Sequence, residues 1–260
     1  MIVECDKRME FRILSYLEKE PEYNTLLAAN MQNFGFDSKN QRIFVSLDNE
    51  RIQGVFLANE QDLLVSGQAE GEDREFFELF IDRKRPQRIM GKEADILKLK
   101  EFTREGYLLK TRSLYCLRKK DKLEASSLDL KIAEAGDEDK IFNFLMSVEE
   151  IKKENPSKEL IQSRLRNKDG FHYYLEMNNE ITAHGNSMAI GPYSAMIHDV
   201  CVKPQYRKNG IGGNVVSQIA EQIFKMGLIP CVISDRAEEN NLFVRIGFEK
   251  VGTWAMLERW

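Results

Sequence analysis

The chain has 260 residues, of which 42% are hydrophobic and 31% are charged, and it carries a formal net charge of −4 at pH 7. This composition excludes disordered and fibrous proteins, and the length is sufficient for two domains that each bury a core. The acidic pI near 5.7 argues against non-specific binding to nucleic acid.

The sequence shows no signal for export or for membrane insertion. No apolar run approaches 18 residues, and residues 1–8 are polar where a signal peptide needs an apolar core. The cysteines are Cys5, Cys116, Cys201 and Cys231, which are too widely separated for a close metal pair or a disulfide framework. We therefore expect a cytoplasmic protein with reduced thiols, no metal site and no membrane partner.

The first 122 residues are predicted to form one domain, followed by a solvated linker at 123–127. Pro21 separates two helical patterns, and Gly35 is placed to end the second. In chain order, the predicted elements are helices over 7–19 and 22–33, strands over 42–47, 52–58 and 63–66, a helix over 72–83, a strand over 88–90, a helix over 92–102 and a strand over 107–117.

Residues 128–260 are predicted to form a second domain of α/β class with a mixed sheet. Its elements are a strand over 128–135, a helix with a core face over 141–148, a helix over 158–166, strands over 171–177, 181–190 and 195–202, a helix over 214–225, a strand over 228–234, a helix over 238–246 and a strand over 248–257.

The turn before the helix 214–225 has the features of an anion site. Pro204 ends the preceding strand, and the segment from Arg207 to Gly213 contains glycines that can adopt positive φ and let the backbone approach a ligand. The N-terminus of a helix adds unpaired N–H groups and a favourable dipole. With Arg207 and Lys208 beside it, this turn is predicted to bind phosphate; a tight turn without a ligand is the alternative.

Two motifs in succession resemble the signature of one enzyme family. Arg207, Gly210 and Gly212 fit Arg-x-x-Gly-x-Gly, after a strand of the form Val-x-Val-x-Pro-x-Tyr. Downstream, the segment from Ser234 to Phe248 is similar to the last helix of the same enzymes. The first motif resembles the coenzyme A pyrophosphate site of the GNAT superfamily of N-acetyltransferases. Asn240 stands where the FR47-like subgroup of that family has an Asn.

The resemblance implies an N-acetyltransferase that moves an acetyl group from acetyl-CoA to a primary amine in a ternary complex. It also implies that strand backbone binds pantetheine and the acetyl carbonyl, while the turn holds the pyrophosphate. The residues implied to bind acetyl-CoA are Val200, Cys201, Val202, Arg207, Lys208, Asn209, Gly210, Ile211, Gly212, Gly213 and Asn240.

His198 is the candidate general base. It precedes Val200 and Val202 by two and four residues, which puts it on their face of a regular strand, near where family members place a Glu or His. A structural histidine and proton removal by water are the alternatives. The family usually has a Tyr as general acid where Phe243 stands, so that role is open to Tyr173, Tyr193, Tyr206 or water.

The N-terminal region has the element order of a GNAT domain that lacks its first strand. The turn over residues 65–73 is acidic and lacks Arg-x-x-Gly-x-Gly, and its carboxylates would repel a pyrophosphate. We therefore predict two tandem GNAT-like domains, the first degenerate and without a coenzyme A site. An unrelated α+β domain is the alternative for the first one.

The function predicted from the sequence is acetyl transfer to a small-molecule or peptide amine. A non-catalytic acyl-CoA-binding or sensor protein is the alternative. Nucleic-acid binding through the basic runs 83–85 and 118–120 has little support, because neither run contains aromatic residues. The sequence carries no marker of the acceptor or of the oligomeric state.

Overall fold

The computed structural model of the protein describes residues 1–59, 61–68, 73–101, 103, 106–123, 126–153, 156–235 and 241–260. These residues cluster into two compact units, Met1–Leu114 with Val251–Trp260, and Tyr115–Lys250. Within the ranges described, no helix is both long and apolar enough to cross a membrane. All four cysteines are buried with free thiols.

The N-terminal unit is built on a mixed sheet. Its elements are β1 (Ile2–Glu4), α1 (Glu10–Leu17), α2 (Pro21–Phe34), β2 (Gln41–Asp48), β3 (Arg51–Asn59), β4 (Asp62–Gly67), α3 (Asp73–Lys84), β5 (Arg88–Lys92), α4 (Glu93–Lys100) and β6 (Tyr107–Cys116), with β12 (Glu249–Arg259) from the end of the chain. The strand order is β1-β2-β3-β4-β5-β12-β6. β4 and β5 are parallel, whereas β12 pairs with β5 in the antiparallel sense.

Apolar side chains cover both faces of this sheet. On one face, Phe56 packs against Phe77 of α3 with ring centroids 4.3 Å apart. On the other face, Val55 and Leu57 pack with Ile13 of α1. Successive residues of β3 point to two buried faces, which explains why residues 55–58 of that strand are all apolar.

Two features of this unit differ from the sequence prediction. β1, which the sequence analysis missed, pairs with Phe44–Ser46 of β2, so the unit has the first strand it was expected to lack. The division of the chain also differs from 1–122 and 128–260, because Ile89 pairs with Leu257 and β12 thereby joins the N-terminal sheet. A three-residue strand is too short to show alternation, and alternation does not specify which sheet a strand joins.

The C-terminal unit is built on a mixed set of paired strands with helices on both faces. Its elements are β7 (Lys131–Ile132), α5 (Glu138–Ser147), α6 (Glu149–Lys152), α7 (Lys158–Asn167), β8 (Phe171–Met177), β9 (Glu180–Ile190), β10 (Ser194–Val202), α8 (Ile211–Lys225), β11 (Ile229–Ser234) and α9 (Leu242–Arg245). The strand order is β11-β10-β9-β8-β7, and β10 and β11 are its parallel pair. The predicted strand 128–135 is thus reduced to β7.

Helices α8 and α5 bury opposite faces of this sheet. Val215 and Ile219 of α8 are fully buried in one core cluster, together with Ile197 of β10. Phe144 of α5 packs in a second cluster with Tyr174 of β8. α8 begins three residues before the predicted position, and α9 is shorter than predicted, with residues 236–240 outside the described ranges.

A buried carboxylate bonds the end of β4 in the N-terminal unit. The N–H of Gly67 donates to Oδ2 of Asp95 in α4 at 2.9 Å. Asp95 is only 7% exposed, and burial raises its pKa, while the Gly67 hydrogen bond opposes that rise. Residues 69–72 of the predicted acidic turn lie outside the described ranges, so the prediction about that turn stays a prediction.

We expect Asp95→Ala to lower the free energy of unfolding by about 1–2 kcal/mol, because it leaves a partly buried N–H without its acceptor. Asp95→Asn is the matched control, since its amide oxygen can still accept while the buried charge is removed. Urea unfolding at pH 7 measures both. An Asp95→Ala variant as stable as Asp95→Asn would show that the Gly67 contact does not stabilise this end of β4.

Candidate functional site

A cavity of about 550 Å³ lies beside the N-terminus of α8 in the C-terminal unit. It is bounded by the end of β10, the following turn, α6 with the residue before it, and α9. The residues that line it are Val148, Glu150, Ile151, Val200, Cys201, Val202, Tyr206, Arg207, Lys208, Gly210, Ile211, Gly212, Gly213, Leu242 and Arg245.

Most of the residues predicted to bind the cosubstrate line this one cavity. Asn209 is the exception among those described: it is exposed in the same turn, and its Nδ2 donates to the carbonyl of Tyr206 at 3.4 Å. Asn240 lies outside the described residues, so both its role and the FR47-like assignment stay predictions.

Two glycines shape the start of α8. Gly210 is the N-cap residue and has φ +75°, a left-handed conformation that residues with a Cβ adopt at a cost. A Cβ on Gly212 would lie 3.3 Å from Cδ2 of Leu242, so a side chain here would crowd the cavity wall. The first N–H groups of an α-helix have no acceptor within the helix, and in α8 they belong to residues that line the cavity.

The paired part of β10 and β11 ends next to this helix. The parallel pairing runs from Ser194 to Ile197 and ends there within the described residues. The next residues, His198–Val202, keep their pairing with β9 on the other side. Val200, Cys201 and Val202 at the end of this segment line the cavity, which is where a ligand can meet the strand.

A β-bulge at Asp199 reverses the two faces of β10. His198 pairs with Asn186 and Cys201 pairs with His184, so two residues of β10 stand opposite one of β9. Asp199 itself has φ +48°.

The prediction that His198 shares a face with Val200 and Val202 is therefore wrong. His198 lies on the face of Asn186 and Cys201, whereas Val200 and Val202 pack with the α8 core. The prediction assumed an unbroken alternation, and one extra residue inverts it.

A chain of hydrogen bonds within the sheet holds the bulge. Nδ2 of Asn186 donates to Oδ2 of Asp199 at 2.7 Å. Nδ1 of His184 lies 3.2 Å from the carbonyl oxygen of Asp199, which can only accept, so this nitrogen carries the proton. Nε2 of His184 then accepts from Nδ1 of His172 at 3.0 Å. The contacts thus assign one tautomer to each histidine.

Burial makes both of these histidines poor bases. His172 is 1% exposed, and burial lowers its pKa to about 3. Burial also lowers the pKa of His184, against an opposing effect of Asp199. At neutral pH the pair is uncharged, which suits a structural role beside the bulge. Burial likewise raises the pKa of the Cys201 thiol, so that it stays protonated and is not an activated nucleophile.

Arg207 is bonded within the protein on three sides. Its Nη1 and Nη2 donate to the two carboxylate oxygens of Glu150 at 2.9 and 3.2 Å, and its Nε donates to the carbonyl of Val202 at 2.9 Å. The hydrogen bond from Arg207 lowers the pKa of Glu150, and the same bond raises the pKa of Arg207. Both side chains therefore stay charged over the working pH range.

The sequence of residues 138–248 matches the family model described as the acetyltransferase (GNAT) family. These residues form a GNAT acetyltransferase domain. No curated protein matches the chain at a significant level.

Solved structures of GNAT proteins share the fold over the whole chain. An acetyltransferase of the GNAT family from Colwellia psychrerythraea is 16% identical and covers 100% of both chains, with a TM-score of 0.59. A GCN5-related N-acetyltransferase-like protein from Streptococcus suis is 16% identical over 97% of this chain and 99% of its own, with a TM-score of 0.59. A tandem GNAT protein from the clavulanic acid biosynthesis pathway is 10% identical over 99% and 97%, with a TM-score of 0.62.

Phe243, which stands where the GNAT family usually has a tyrosine, does not line the cavity. Its ring is buried in the α8 core and meets Phe248 edge to face, with centroids 5.7 Å apart. Of the three tyrosines considered for proton donation, Tyr206 lines the cavity, whereas Tyr173 is buried in the core.

Several residues that line the cavity were not predicted from the sequence. Glu150 and Ile151 belong to α6, far from the motif in sequence, and Leu242 and Arg245 belong to α9. The charge at Glu150 is one of many on the surface of the chain, so only its contact with Arg207 distinguishes it. The contact between His172 and His184 could not be predicted either, because a strand pattern does not indicate which polar side chains of neighbouring strands are in contact.

We expect the free energy of unfolding to decrease as the pH is lowered below about 6.5, because His172 takes up a proton on unfolding. Its pKa is lowered in the folded state, so its contribution is complete above the unfolded value near 6.5 and is lost as the pH falls towards about 3. This one group gives a slope of up to about 1.4 kcal/mol per pH unit. In His172→Gln, urea unfolding between pH 7 and pH 4 should show a slope shallower by about that amount. A slope equal to that of the native protein would mean that His172 is not the group that takes up the proton.

Proposed function

We propose that the protein is an N-acetyltransferase that binds acetyl-CoA in the C-terminal cavity and acetylates a primary amine of a small molecule or peptide. The observation that carries this proposal is that the end of β10, beyond its pairing with β11, and the N-terminus of α8 line one cavity. The end of β10 offers strand backbone to an extended pantetheine arm, and the helix offers N–H groups to a pyrophosphate.

The charges and size of the cavity support an anionic ligand. Arg207, Lys208 and Arg245 line it, with Glu150 as the acidic residue among the lining. A volume of about 550 Å³ lies within the range of small-molecule sites. These residues fit acetyl-CoA, which supplies the acetyl group as a thioester.

In the proposed reaction, the amine nitrogen attacks the thioester carbonyl carbon, so that a C–N bond forms and the C–S bond breaks. The amine gives up a proton, and the departing thiolate takes one. Because a thiol has a pKa near 8.5, the leaving group needs little help from a general acid. The protein's main contributions are then orientation of the two reactants and donors for the developing oxyanion.

His198 remains the proposed base, on grounds that differ from strand alternation. It does not line the cavity, but it lies two residues before Val200, which does, and directly after the paired segment of β10 and β11. It is half-buried, in contrast with the fully buried His172 and His184. Tyr206, in the wall of the cavity, is the proposed alternative source of a proton for the thiolate.

The N-terminal unit is proposed to lack a coenzyme A site. Its parallel pair β4–β5 is joined from Asp62 to Val65, and the N–H of Gly67, two residues further on, donates to Asp95. A carboxylate that already accepts from the strand end would oppose a phosphate there. We propose cytoplasmic residence on the buried, free thiols.

A second candidate function is acyl-CoA binding without catalysis. The phenyl ring of Phe243 in the place of the usual tyrosine favours it, since that ring can supply no proton. Release of free thiol from acetyl-CoA in the presence of a panel of amines separates the two functions. Binding with no release for any amine would favour the non-catalytic function.

We expect Gly210→Asp to weaken acetyl-CoA binding by at least about 30-fold, because it puts a carboxylate where the pyrophosphate is proposed to lie. Gly227→Asp is the matched control. Gly227 has φ +76° at the other end of α8, with open space around it, so the backbone penalty is the same while the cavity is untouched. Isothermal calorimetry measures affinity, and circular dichroism confirms folding.

Calorimetry of the unaltered chain should give one acetyl-CoA per chain. Two sites per chain would contradict the degenerate assignment of the N-terminal unit. Equal affinity in Gly210→Asp and Gly227→Asp would contradict the proposed position of the donor.

We expect His198→Ala to lower kcat and kcat/KM together by about 100-fold, since a base acts only in the transition state. The pH–rate profile should lose its limb near the histidine pKa, and acetyl-CoA affinity should hold. Steady-state kinetics with an acceptor of known pKa measures this. Turnover at the unaltered rate would assign proton removal to water or to another group.

A further inference from the structure

The Arg207 side chain of the phosphate motif is held by an acidic residue of the same cavity. Glu150 lies in α6, between α5 and α7, and its carboxylate meets the guanidinium through two hydrogen bonds of 2.9 and 3.2 Å. With Nε bonded to Val202, each of the three guanidinium nitrogens of Arg207 has a partner in the protein.

The geometry of this contact is the one that a phosphate group would use. A guanidinium presents parallel N–H pairs that fit a carboxylate or a phosphate equally well. Nε of Arg207 is committed to the strand end at Val202, which leaves Nη1 and Nη2 for either partner. One such pair of N–H groups cannot serve two anions in this bidentate manner at the same time.

We propose that Glu150 competes with the acyl donor for Arg207. In the ligand-free protein its carboxylate occupies the guanidinium fork, and the pyrophosphate of the donor displaces it on binding. This inference rests on the donor site proposed above. It makes Glu150 a residue that sets the affinity for phosphate-bearing donors.

The pair is weak enough to be displaced. The side chains of Arg207 and Glu150 are 40% and 63% exposed, and ion pairs of this kind shift an equilibrium by no more than about five-fold. A pyrophosphate carries more negative charge than one carboxylate, and it gains the N–H groups of α8 as well. Replacement of Glu150 by the pyrophosphate is therefore favourable. The affinity of the protein for the donor is nevertheless lower than it would be without Glu150.

The residue next to Glu150 provides a matched control. Glu149 belongs to the same helix, its side chain is 72% exposed, and its carboxylate lies 3.9 Å from Lys153 rather than at Arg207. It does not line the cavity. Glu149→Gln therefore makes the same charge change one residue away without freeing the guanidinium.

The experiment compares the unaltered protein, Glu150→Gln and Glu149→Gln by calorimetry at low and high salt. The probes are acetyl-CoA, inorganic pyrophosphate and S-acetylpantetheine, a thioester without phosphate. We expect Glu150→Gln to bind acetyl-CoA and pyrophosphate about 3- to 5-fold more tightly at low salt, with a smaller gain at high salt. Its affinity for S-acetylpantetheine should stay unchanged, and Glu149→Gln should change every affinity by less than about two-fold.

Three outcomes would overturn the inference. They are an unchanged or weaker affinity of Glu150→Gln for pyrophosphate, an equal gain in Glu149→Gln, and an equal gain for S-acetylpantetheine. A gain for pyrophosphate without acetyl-CoA binding in any variant would refute the proposed donor and still support the competition. The two proposals therefore fail separately.

Discussion

One left-handed residue in β10 determines which side chains of that strand pack on each face of the C-terminal unit. Asp199, at φ +48°, adds one residue to the strand opposite Gly185, so the side chains beyond it change faces. Val200 and Val202 then pack on α8, while Cys201 turns towards α5. Removal of the extra residue would send these side chains to the wrong cores, so the packing of both helices maintains the bulge.

The hydrogen bonds around the bulge complement that packing. An aspartate at positive φ is unfavourable by itself, and it persists where its surroundings over-determine it. Here Asn186 binds the carboxylate and His184 binds the carbonyl of the same residue, with His172 behind. Because the amide and the two imidazoles are uncharged, they hold this backbone without adding a charge of their own. The N-terminal unit uses the opposite arrangement, in which Asp95 binds the strand end directly.

Local chemistry explains which parts could be predicted from the sequence. Gly210 and Gly212 are required by backbone conformation and close contact within a few residues, so their spacing indicated the turn and the family. The bulge at Asp199 could not be predicted in this way, because aspartate is common at the ends of strands and in turns. The bulge depends on the pairing of β10 with β9, which the sequence does not reveal. Glu150 was missed for a related reason, since a surface carboxylate is ordinary until a distant guanidinium is found beside it.

The position of β12 has a consequence for how the chain acquires its structure during synthesis. β5 is complete at Lys92, yet its antiparallel partner runs from Trp254 to Glu258, so this edge of β5 stays unpaired until the last strand has left the ribosome. Contacts across so long a stretch of chain form slowly, and an unpaired strand edge is prone to wrong pairing in the meantime. The C-terminal unit, whose strands are all contained in Tyr115–Lys250, has no such dependence. All strands of the C-terminal unit have therefore been synthesised before the last strand of the N-terminal sheet.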